Sequence, residues 1–492
     1  MPPLVAAVDF GGSGLRAALY DPEGRCAGLA RRTWTAHPAP GTDRGTEFDG
    51  PEVWGLVADA LAEVTAGRGA DVAGVAVTAV RLGCALIGDD VEIYCGPNID
   101  GRARLEGLEL WRRHGDALYR LAGHAPPVAS ASARLLWFAR HEPERLAAAR
   151  HVLSLEGWLA WRLTGVAAGE PAASAASGLL NVATRQWSPE LCAMAGADES
   201  LLPPLHAAGA PIGVVHEAAS ARTGIATGTP VAIAGGDTHA GLLALGAVEP
   251  GMAGVVAGAT APLMAVTDHW VHDTAGRCWT EPHPLDGRWV VESNVGEVGG
   301  PAAWLAGVMG GEVADLDRLA AESPPGANGI SAFLGPMAMH ATDMPLLRHG
   351  GLDIPLPFGL RTSGPPDVAR AFVENVAFAL RTARSWVAAP LGAEPGLRLG
   401  GGVSRVKTLG RVLAGVVGDE VLVADDPEVT LRGTASAAAT AAGWFTSLRA
   451  AADAFATTLT AVAPEGSDVY RDLYATWSDA EAARVVTRFS DL

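Results

Sequence analysis

Apolar positions occur in short runs and at helical spacing in alternation, a pattern typical of an α/β protein. Residues 5–19 (VAAVDFGGSGLRAAL) hold two short apolar runs joined by a glycine-rich turn, which predicts a β-hairpin. Residues 253–267 (AGVVAGATAPLMAVT) repeat this layout with another small-residue turn that carries a hydroxyl group. Because the two hairpins lie about half a chain apart, we predict two related α/β domains that face each other.

The remaining pattern supplies the helices and strands expected between and after these hairpins. It predicts a helix near 51–66, a strand at 72–79, helices near 103–121 and 132–148, a buried strand at 230–234, a Gly-Gly turn with a helix opening near Thr238, a helix over 367–388, a triple glycine with a helix from about Ser404, and a closely packed small-residue helix over 430–442.

The length of the chain also indicates two domains. Its 492 residues exceed the roughly 250 to 300 residues at which a single hydrophobic core usually stops growing. Glu249, Pro250 and Gly251 form a turn-like break. We therefore predict one domain over residues 1–247 and a second over residues 248–492.

The net charge and the cysteine pattern limit the classes of partner and the cellular compartment that we expect. The net charge is −18 and no basic block occurs, so nucleic acid and anionic membrane surfaces are not expected partners. The five cysteines form no CxxC pair and no zinc-like spacing with histidine, which indicates cytosolic thiols. The N-terminus lacks a signal-peptide pattern, and no apolar run approaches the roughly 20 residues that span a bilayer. We expect a cytoplasmic protein.

The first hairpin turn is a candidate phosphate-binding loop. Asp9 precedes Gly11, Gly12 and Ser13; the glycines let backbone amides approach an anion, and the serine adds a donor. A carboxylate beside phosphate makes sense only if Mg²⁺ and its waters lie between them. A plain structural turn is the alternative.

Two later turns also combine glycines with a hydroxyl side chain that could bind phosphate. Gly258 and Thr260 in the second hairpin could hold a polyphosphate from the opposite side of a cleft, or could form an ordinary turn. Gly401 and Gly402, followed by Ser404, form a glycine-rich helix entry that suits an adenine ring or a phosphate. Close packing alone would also explain that entry.

Asp237 is the candidate general base. It follows a buried strand and two glycines and precedes Thr238 and His239. An aspartate at such a strand-to-helix corner can accept a proton from a hydroxyl group that attacks phosphorus. The alternative is that Asp237 caps the next helix. We interpret His239 as a supporting residue or an ordinary surface histidine.

Arg81 and the segment CGPNIDGRA are candidates for acceptor binding. Arg81 ends an apolar strand, and strand ends are where α/β domains bind ligands. A surface salt bridge is its alternative. Asp100 and Arg102 form either a structural ion pair or a pair that orients the substrate, and Asn98 lies two residues before them.

Taken in order, these motifs resemble those of the FGGY carbohydrate kinases from Val5 to about Gly443. VDFGGSGLRAAL is similar to the first phosphate loop, NIDGRA to the acid-x-Arg element, AGGDTHAG to the catalytic-base loop, VAGATAP to the second phosphate loop, and LGGGVSR to the adenosine loop. SARLLWFARHEPE and WRLTG match the middle of the first domain. The resemblance implies an actin-like fold of two ribonuclease-H-like domains around an ATP cleft.

The resemblance also implies roles for individual residues. Asp237 is the implied general base and, with Asp9, a Mg²⁺ ligand. The implied ATP-binding residues are Gly11, Gly12, Ser13, Gly258, Thr260, Gly401, Gly402 and Ser404. The implied substrate-binding residues are Arg81, Asn98, Asp100, Arg102 and Asp237. The expected reaction is ATP-dependent phosphorylation of a small sugar, polyol or dihydroxy-ketone, and the resemblance leaves a homodimer open.

Departures from the family pattern define the alternatives. Gly12 replaces the usual threonine, and Ala259 replaces a polar residue. Both changes reduce the number of side chains that can donate a hydrogen bond to phosphate. A non-catalytic nucleotide sensor or assembly module is therefore the second hypothesis. Arg81 with Asn98, Asp100 and Arg102 is most similar to the autoinducer-2 kinases, although Leu82 fits that subfamily poorly. A pentulose or polyol kinase is the alternative within the family.

Overall fold

The computed structural model describes residues 2–12, 14–356, 363–402, 406–488 and 491. Two residues of the predicted ATP site, Ser13 and Ser404, lie outside the described residues. In the described part of the chain, no helix is long and apolar enough to cross a bilayer.

Most strands belong to two large sheets. The strands of the first half are β1 Leu4–Phe10, β2 Gly14–Tyr20, β3 Cys26–Thr33, β4 His37–Pro38, β5 Thr46–Glu47, β6 Val72–Ala79, β7 Cys84–Ile87, β8 Glu92–Gly96, β9 His151–Ser154, β10 Leu180–Asn181, β11 Gln186–Trp187, β12 Gly213–Val214 and β13 Pro230–Gly236. Those of the second half are β14 Met252–Val256, β15 Thr260–Thr267, β16 Trp279–Pro282, β17 Trp289–Glu297, β18 Ser331–Phe333, β19 Pro345–Arg348, β20 Gly351–Asp353, β21 Gly396–Gly400, β22 Val421–Ala424, β23 Leu459–Val462 and β24 Val485–Arg488.

The helices cover both sheets. They are α1 Gly50–Thr65, α2 Arg104–Ala122, α3 Ala131–His141, α4 Pro143–Ala147, α5 Leu155–Thr164, α6 Pro171–Ala175, α7 Pro189–Ala195, α8 Glu217–Thr223, α9 Asp237–Ala244, α10 Gly299–Val308, α11 Val313–Glu322, α12 Pro365–Leu391, α13 Lys407–Val417, α14 Val429–Ala441, α15 Leu448–Ala454 and α16 Ser467–Ala482.

The two large sheets repeat one topology. The first has the strand order β3-β2-β1-β6-β13-β12, and the second contains β17-β15-β14-β21-β22-β23 with β16 added at its edge. In each sheet the hairpin strands pair antiparallel, and the next two strands are parallel to the first strand of the hairpin. This repeat agrees with the predicted duplication. The chain passes from one sheet to the other between α9 and β14, which includes the predicted division at 247/248.

Helix α14 belongs to the second half of the sequence but packs against the first sheet. It contacts β1, β6 and β13, and it also crosses α9. The crossing is close because Gly433 carries no side chain: a Cβ atom there would lie 1.7 Å from the carbonyl oxygen of Ala240. The small-residue composition predicted for this helix therefore has a packing reason.

Three sequence predictions need correction. The helix predicted over 132–148 is two helices, because Pro143 lacks an amide hydrogen and starts α4. Gly235 and Gly236 belong to β13, which shifts register between Ile233 and Gly236 instead of ending in a turn. The helix expected from about Ser404 begins at Lys407.

Candidate active site

Three parallel strands of the first sheet end at the same edge and bring three predicted residues together. Asp9 lies in β1 opposite Thr78 of β6, and Gly236 of β13 pairs with Ala79 of β6. Arg81 follows β6, and Asp237 follows β13. Because the carboxyl ends of parallel strands form the usual ligand-binding edge, this is the candidate site.

Asp237 is the first residue of α9 and remains partly exposed. Its Oδ1 accepts hydrogen bonds from the Thr238 amide at 2.7 Å and from the Thr238 hydroxyl at 3.3 Å. The residue at the N-cap position is Gly236, so the capping interpretation does not account for Asp237. Burial raises the pKa of Asp237, and the negative charge of Asp9 raises it further. The positive charge of Arg81 and the hydrogen bond from the Thr238 amide lower it, but by less. A raised pKa makes this carboxylate a stronger base.

Asp9 is almost fully buried, at 1% exposure. Its Oδ2 accepts a hydrogen bond from Arg16, the residue opposite it in the hairpin, and Arg16 also binds Glu428 at 2.6 Å. Its Oδ1 is buried without a hydrogen-bond partner among the described residues. Because Mg²⁺ prefers carboxylate oxygens, this unpaired atom near Asp237 fits the predicted metal.

No cluster of three or more histidine, cysteine, aspartate or glutamate side chains that could hold a metal occurs in the described part of the chain. Magnesium at nucleotide sites is commonly held by one or two carboxylates, with water and phosphate oxygens completing its shell. A magnesium ion here would therefore depend on Asp9, Asp237 and the oxygens of a bound nucleotide.

The second hairpin turn and the triple glycine converge on one apolar cavity. Gly258 and Gly402 both line this cavity of about 280 Å³. Its other walls are apolar residues and glycine: Val298, Gly299, Ala302, Val313, Leu316, Phe372, Val373, Val376, Val406 and Leu409. A slot of this size and chemistry suits a flat aromatic base.

Gly401 sets the shape of this region. Its φ is +87°, and a Cβ atom there would lie 2.5 Å from the carbonyl oxygen of Ala257. A side chain would therefore push the triple glycine away from the second hairpin. In that hairpin the Gly258 amide donates to the carbonyl oxygen of Thr260 at 2.9 Å, and the turn is exposed.

Arg81 lies in a buried charge cluster rather than in a surface salt bridge. Its terminal nitrogens donate to Glu281 of β16 at 2.9 Å and to Glu292 of β17 at 2.6 and 2.9 Å. Both glutamates have fully buried side chains, and that of Arg81 is 12% exposed. Although burial alone would lower it, the pKa of Arg81 is raised by these carboxylates. The cluster thus joins the two sheets beside Asp237.

His239 belongs to the same cluster, so its interpretation as a surface histidine is wrong. The side chain is fully buried, and its Nε2 lies 3.1 Å from Oε2 of Glu281. Its role as a supporting residue stays a prediction.

The segment around Asn98 separates into two environments. A Cβ atom on Gly12 would lie 3.7 Å from Oδ1 of Asn98, so Asn98 adjoins the first glycine turn. Asp100 and Arg102 are fully buried side chains that bind each other at 2.7 Å. Tyr94 donates to Asp100, and Arg102 reaches Glu47 at 2.8 Å. These contacts are those of the structural ion pair, the first of the two interpretations, and a role of the pair in substrate binding stays a prediction.

A small cavity of about 20 Å³ lies where β6 ends. Arg81, Glu156 and Ser174 line it, and Arg81 also packs on Gly236 next to Asp237. Burial, with the charges of Glu170 and Asp237, raises the pKa of Glu156 to about 8. The cavity has room for little more than one water molecule, so it adjoins the candidate site and does not itself accommodate an acceptor.

Sequence reasoning missed Arg16, Glu156, Glu281 and Glu292. Arg16 could have been found from hairpin register, since it faces Asp9. For the three glutamates the signal was weaker: each acid interrupts a largely apolar stretch, in SLEGWLAW, CWTEP and WVVESN. A buried acid in such a stretch needs a partner, but the pattern does not name it.

Comparisons with known proteins point to the same family as the sequence motifs. The model of the FGGY family of carbohydrate kinases, N-terminal domain, matches residues 4–244. The autoinducer-2 kinase of Escherichia coli K12 is 28% identical over 469 residues, which cover 90% of this chain and 87% of that protein. The autoinducer-2 kinase of Salmonella paratyphi B is 28% identical over 466 residues, with 90% and 87% covered.

Solved structures give the same fold. Xylulose kinase from Rhodospirillum rubrum has a TM-score of 0.81 and 25% identity over 98% of both chains. Plasmodium falciparum glycerol kinase with ADP has a TM-score of 0.84 and 16% identity over 99% of both chains, which bears on the fold alone. The predicted actin-like α/β fold is confirmed.

Proposed function

Because the chain belongs to the FGGY family of carbohydrate kinases, we propose that it transfers the γ-phosphoryl group of ATP to a hydroxyl group of a small sugar, polyol or dihydroxy-ketone. The observation that carries this proposal is the position of Asp237. It lies at the shared strand edge beside Asp9 and next to Arg81, which lines the cavity at the end of β6.

Asp237 is the general base of the proposed reaction. It accepts the proton of the acceptor hydroxyl as that oxygen forms a bond to the γ-phosphorus and the bond to the leaving oxygen of ADP breaks. Its partly exposed side chain and raised pKa suit this task. The Thr238 amide holds Oδ1, which fixes the carboxylate at the start of α9.

The nucleotide occupies the opposite side of the site in this proposal. Its base enters the apolar cavity between Gly258 and Gly402, and its phosphates meet the turns at Gly11, Gly12 and Thr260. When bound, Mg²⁺ would offset phosphate charge, and Asp9 and Asp237 would hold it. Ser13 and Ser404 remain proposed phosphate and adenosine contacts through the family resemblance, as does Gly401.

The acceptor class is proposed from the family and from its relatives. Curated relatives that are 28% identical over 90% of the chain are named autoinducer-2 kinases, so dihydroxy-ketones are the first acceptors to test. Pentuloses and polyols are the alternatives. A non-catalytic nucleotide sensor is disfavoured, since a pure binding module has no need for Asp237 beside Asp9.

Release of ADP from MgATP, measured with a panel of dihydroxy-ketones, pentuloses and polyols, tests the proposal. We expect release that depends on the acceptor and that disappears in the Asp237→Asn variant. Nucleotide binding without acceptor-dependent release across the panel would instead support the sensor hypothesis.

A further inference from the structure

A strand of the second sheet contacts the first half of the chain and places Glu281 beside the candidate site. Strand β16 pairs with β17, and the amide of Thr280 in β16 also donates to the carbonyl oxygen of Gly123 at 3.0 Å. This approach is close because Gly123 has no side chain: a Cβ atom there would lie 1.9 Å from the carbonyl oxygen of Thr280. Strand β16 is therefore bonded to both halves, which fixes Glu281 relative to the first sheet.

One oxygen atom of Glu281 meets two side chains of the first half. Its Oε2 accepts a hydrogen bond from Nη1 of Arg81 at 2.9 Å and lies 3.1 Å from Nε2 of His239. The side chains of Glu281 and His239 are fully buried, and an imidazole N–H at this distance can donate to a carboxylate. Although burial would raise it, the pKa of Glu281 is lowered by Arg81 and His239, so the group stays a carboxylate at neutral pH.

The same two side chains pack against the backbone immediately before Asp237. A Cβ atom on Gly236 would lie 2.8 Å from Cγ of Arg81 and 3.3 Å from Nδ1 of His239. Arg81 and His239 thus fill the space that a side chain at Gly236 would need. Because Gly236 is the N-cap of α9 and Asp237 is its first residue, these contacts fix where the helix begins.

We propose that His239 is a positioning residue, which holds the Asp237 carboxylate in place by linking the first turn of α9 to Glu281 of the second half. This inference rests on the proposed function, in which Asp237 takes the proton of the acceptor hydroxyl group. Arg81 follows β6, so of the two partners of Glu281 it is His239 that belongs to the same helix as the base. A displacement of a reacting group by about 1 Å can lower the rate about 10²-fold, so the link affects turnover without touching the substrate.

Two matched leucine variants separate this role from ordinary packing. His239→Leu keeps an apolar side chain and removes the contact with Glu281. His283→Leu is the control, since His283 is also fully buried but its ring nitrogens meet the backbone: Nε2 lies 3.3 Å from the carbonyl oxygen of Ala247, and Nδ1 accepts the Leu285 amide at 3.0 Å. His239→Gln tests rescue, because its side-chain amide can donate to Glu281 as the imidazole does.

Initial rates of ADP release give kcat and the KM for ATP. We expect His239→Leu to lower kcat about 10- to 100-fold and to leave the KM for ATP within about twofold of the wild type. His239→Gln should recover kcat to within about fivefold of the wild type, and His283→Leu should keep near-wild-type kcat. In a Glu281→Met background, adding His239→Leu should change kcat by less than about threefold, because the partner of the ring is already absent.

Hydrogen exchange measures the same link without turnover. In the free protein, amides in the first turn of α9 should exchange about tenfold faster in His239→Leu than in the wild type, and at the wild-type rate in His283→Leu. If the wild type releases no ADP with any acceptor, the phosphotransfer proposal fails, whereas exchange still decides whether His239 holds the start of α9. If His239→Leu does not fold, His239→Asn replaces it, since the shorter amide does not reach Glu281.

Several outcomes overturn the inference. One is wild-type kcat in His239→Leu, and another is an equal loss of kcat in His283→Leu, which would reduce the effect to packing. A kcat in His239→Gln as low as in His239→Leu would show that the contact with Glu281 is not what matters. An undiminished effect of His239→Leu in the Glu281→Met background would exclude Glu281 as the partner.

Discussion

Arg81 donates hydrogen bonds from both terminal guanidinium nitrogens to Glu292, at 2.6 and 2.9 Å. Arg81 follows β6 of the first sheet and Glu292 lies in β17 of the second, so this bidentate pair links the two halves of the site. With Glu281 added, the cluster holds two carboxylates against one guanidinium group. Its first consequence is for stability.

We predict that Arg81→Met destabilises the fold by about 3–5 kcal/mol, because it leaves two buried carboxylates without their cation. Thermal unfolding measures the loss. Arg150→Met is the control, since Arg150 pairs with Asp89 at the surface and such pairs contribute only about 0–1 kcal/mol. Equal shifts in the two variants would contradict a special role of the cluster. In the folded variant, the acceptor KM should rise more than the ATP KM.

Asp237→Asn should lower kcat by about 10²- to 10⁴-fold, because the amide cannot accept the proton of the acceptor hydroxyl. ATP affinity, measured by calorimetry, should stay close to that of the wild type. Asp286→Asn is a suitable control, since its side chain is 83% exposed. Near-normal turnover in Asp237→Asn would remove the general base from the proposed reaction.

Activity should fall on acidification. Burial and Asp9 raise the pKa of Asp237, so kcat/KM should fall at a pH above the ordinary aspartate value as the base becomes protonated. A profile of kcat/KM against pH for the wild type checks this. An acid limb at or below the ordinary aspartate value would assign it to another group.

Gly401→Ala should weaken ATP binding about tenfold or more, because its Cβ atom would press on Ala257 and displace the glycines beside the apolar cavity. Gly392→Ala provides the comparison. It has a similar φ of +75° but meets no atom within 4 Å, so it shares the backbone strain and lacks the collision. Nucleotide titrations followed by calorimetry distinguish the two. A comparable loss in both variants would point to general strain.

Asp9→Asn should raise the Mg²⁺ concentration needed for half-maximal activity by about tenfold or more, because an amide is a weaker ligand than a carboxylate. The variant also weakens the contact with Arg16. Glu428→Gln controls for this effect, as Glu428 binds Arg16 at 2.6 Å. Magnesium titrations at saturating ATP should shift only in Asp9→Asn, and a shift of the same size in both would argue against the metal role.

The sequence predicted those features that depend on neighbouring residues. Strand β6 agrees with the predicted 72–79, and both hairpins lie where alternating apolar runs and glycines indicated. Asp237 was placed at a strand-to-helix corner for the same reason. These predictions succeed because periodicity and turn chemistry act over a few residues.

Contacts across the fold were beyond such reasoning. Glu281 and Glu292 lie about 200 residues from Arg81, and no local pattern couples them. The isolated arginine at a strand end therefore suggested either a ligand contact or a surface pair. Glu156 was missed in a similar way, since only the folded chain brings α5 to the end of β6.

Helix α14 has a consequence for how the polypeptide can be divided. It supplies Leu431, Ala435 and Ala438 to the apolar layer on one face of the first sheet, although the strands of that sheet end at Gly236. A fragment truncated after residue 247 would thus expose that layer to water and should aggregate when expressed alone. Co-expression with residues 248–492 should rescue its solubility, since complementation returns the missing helix.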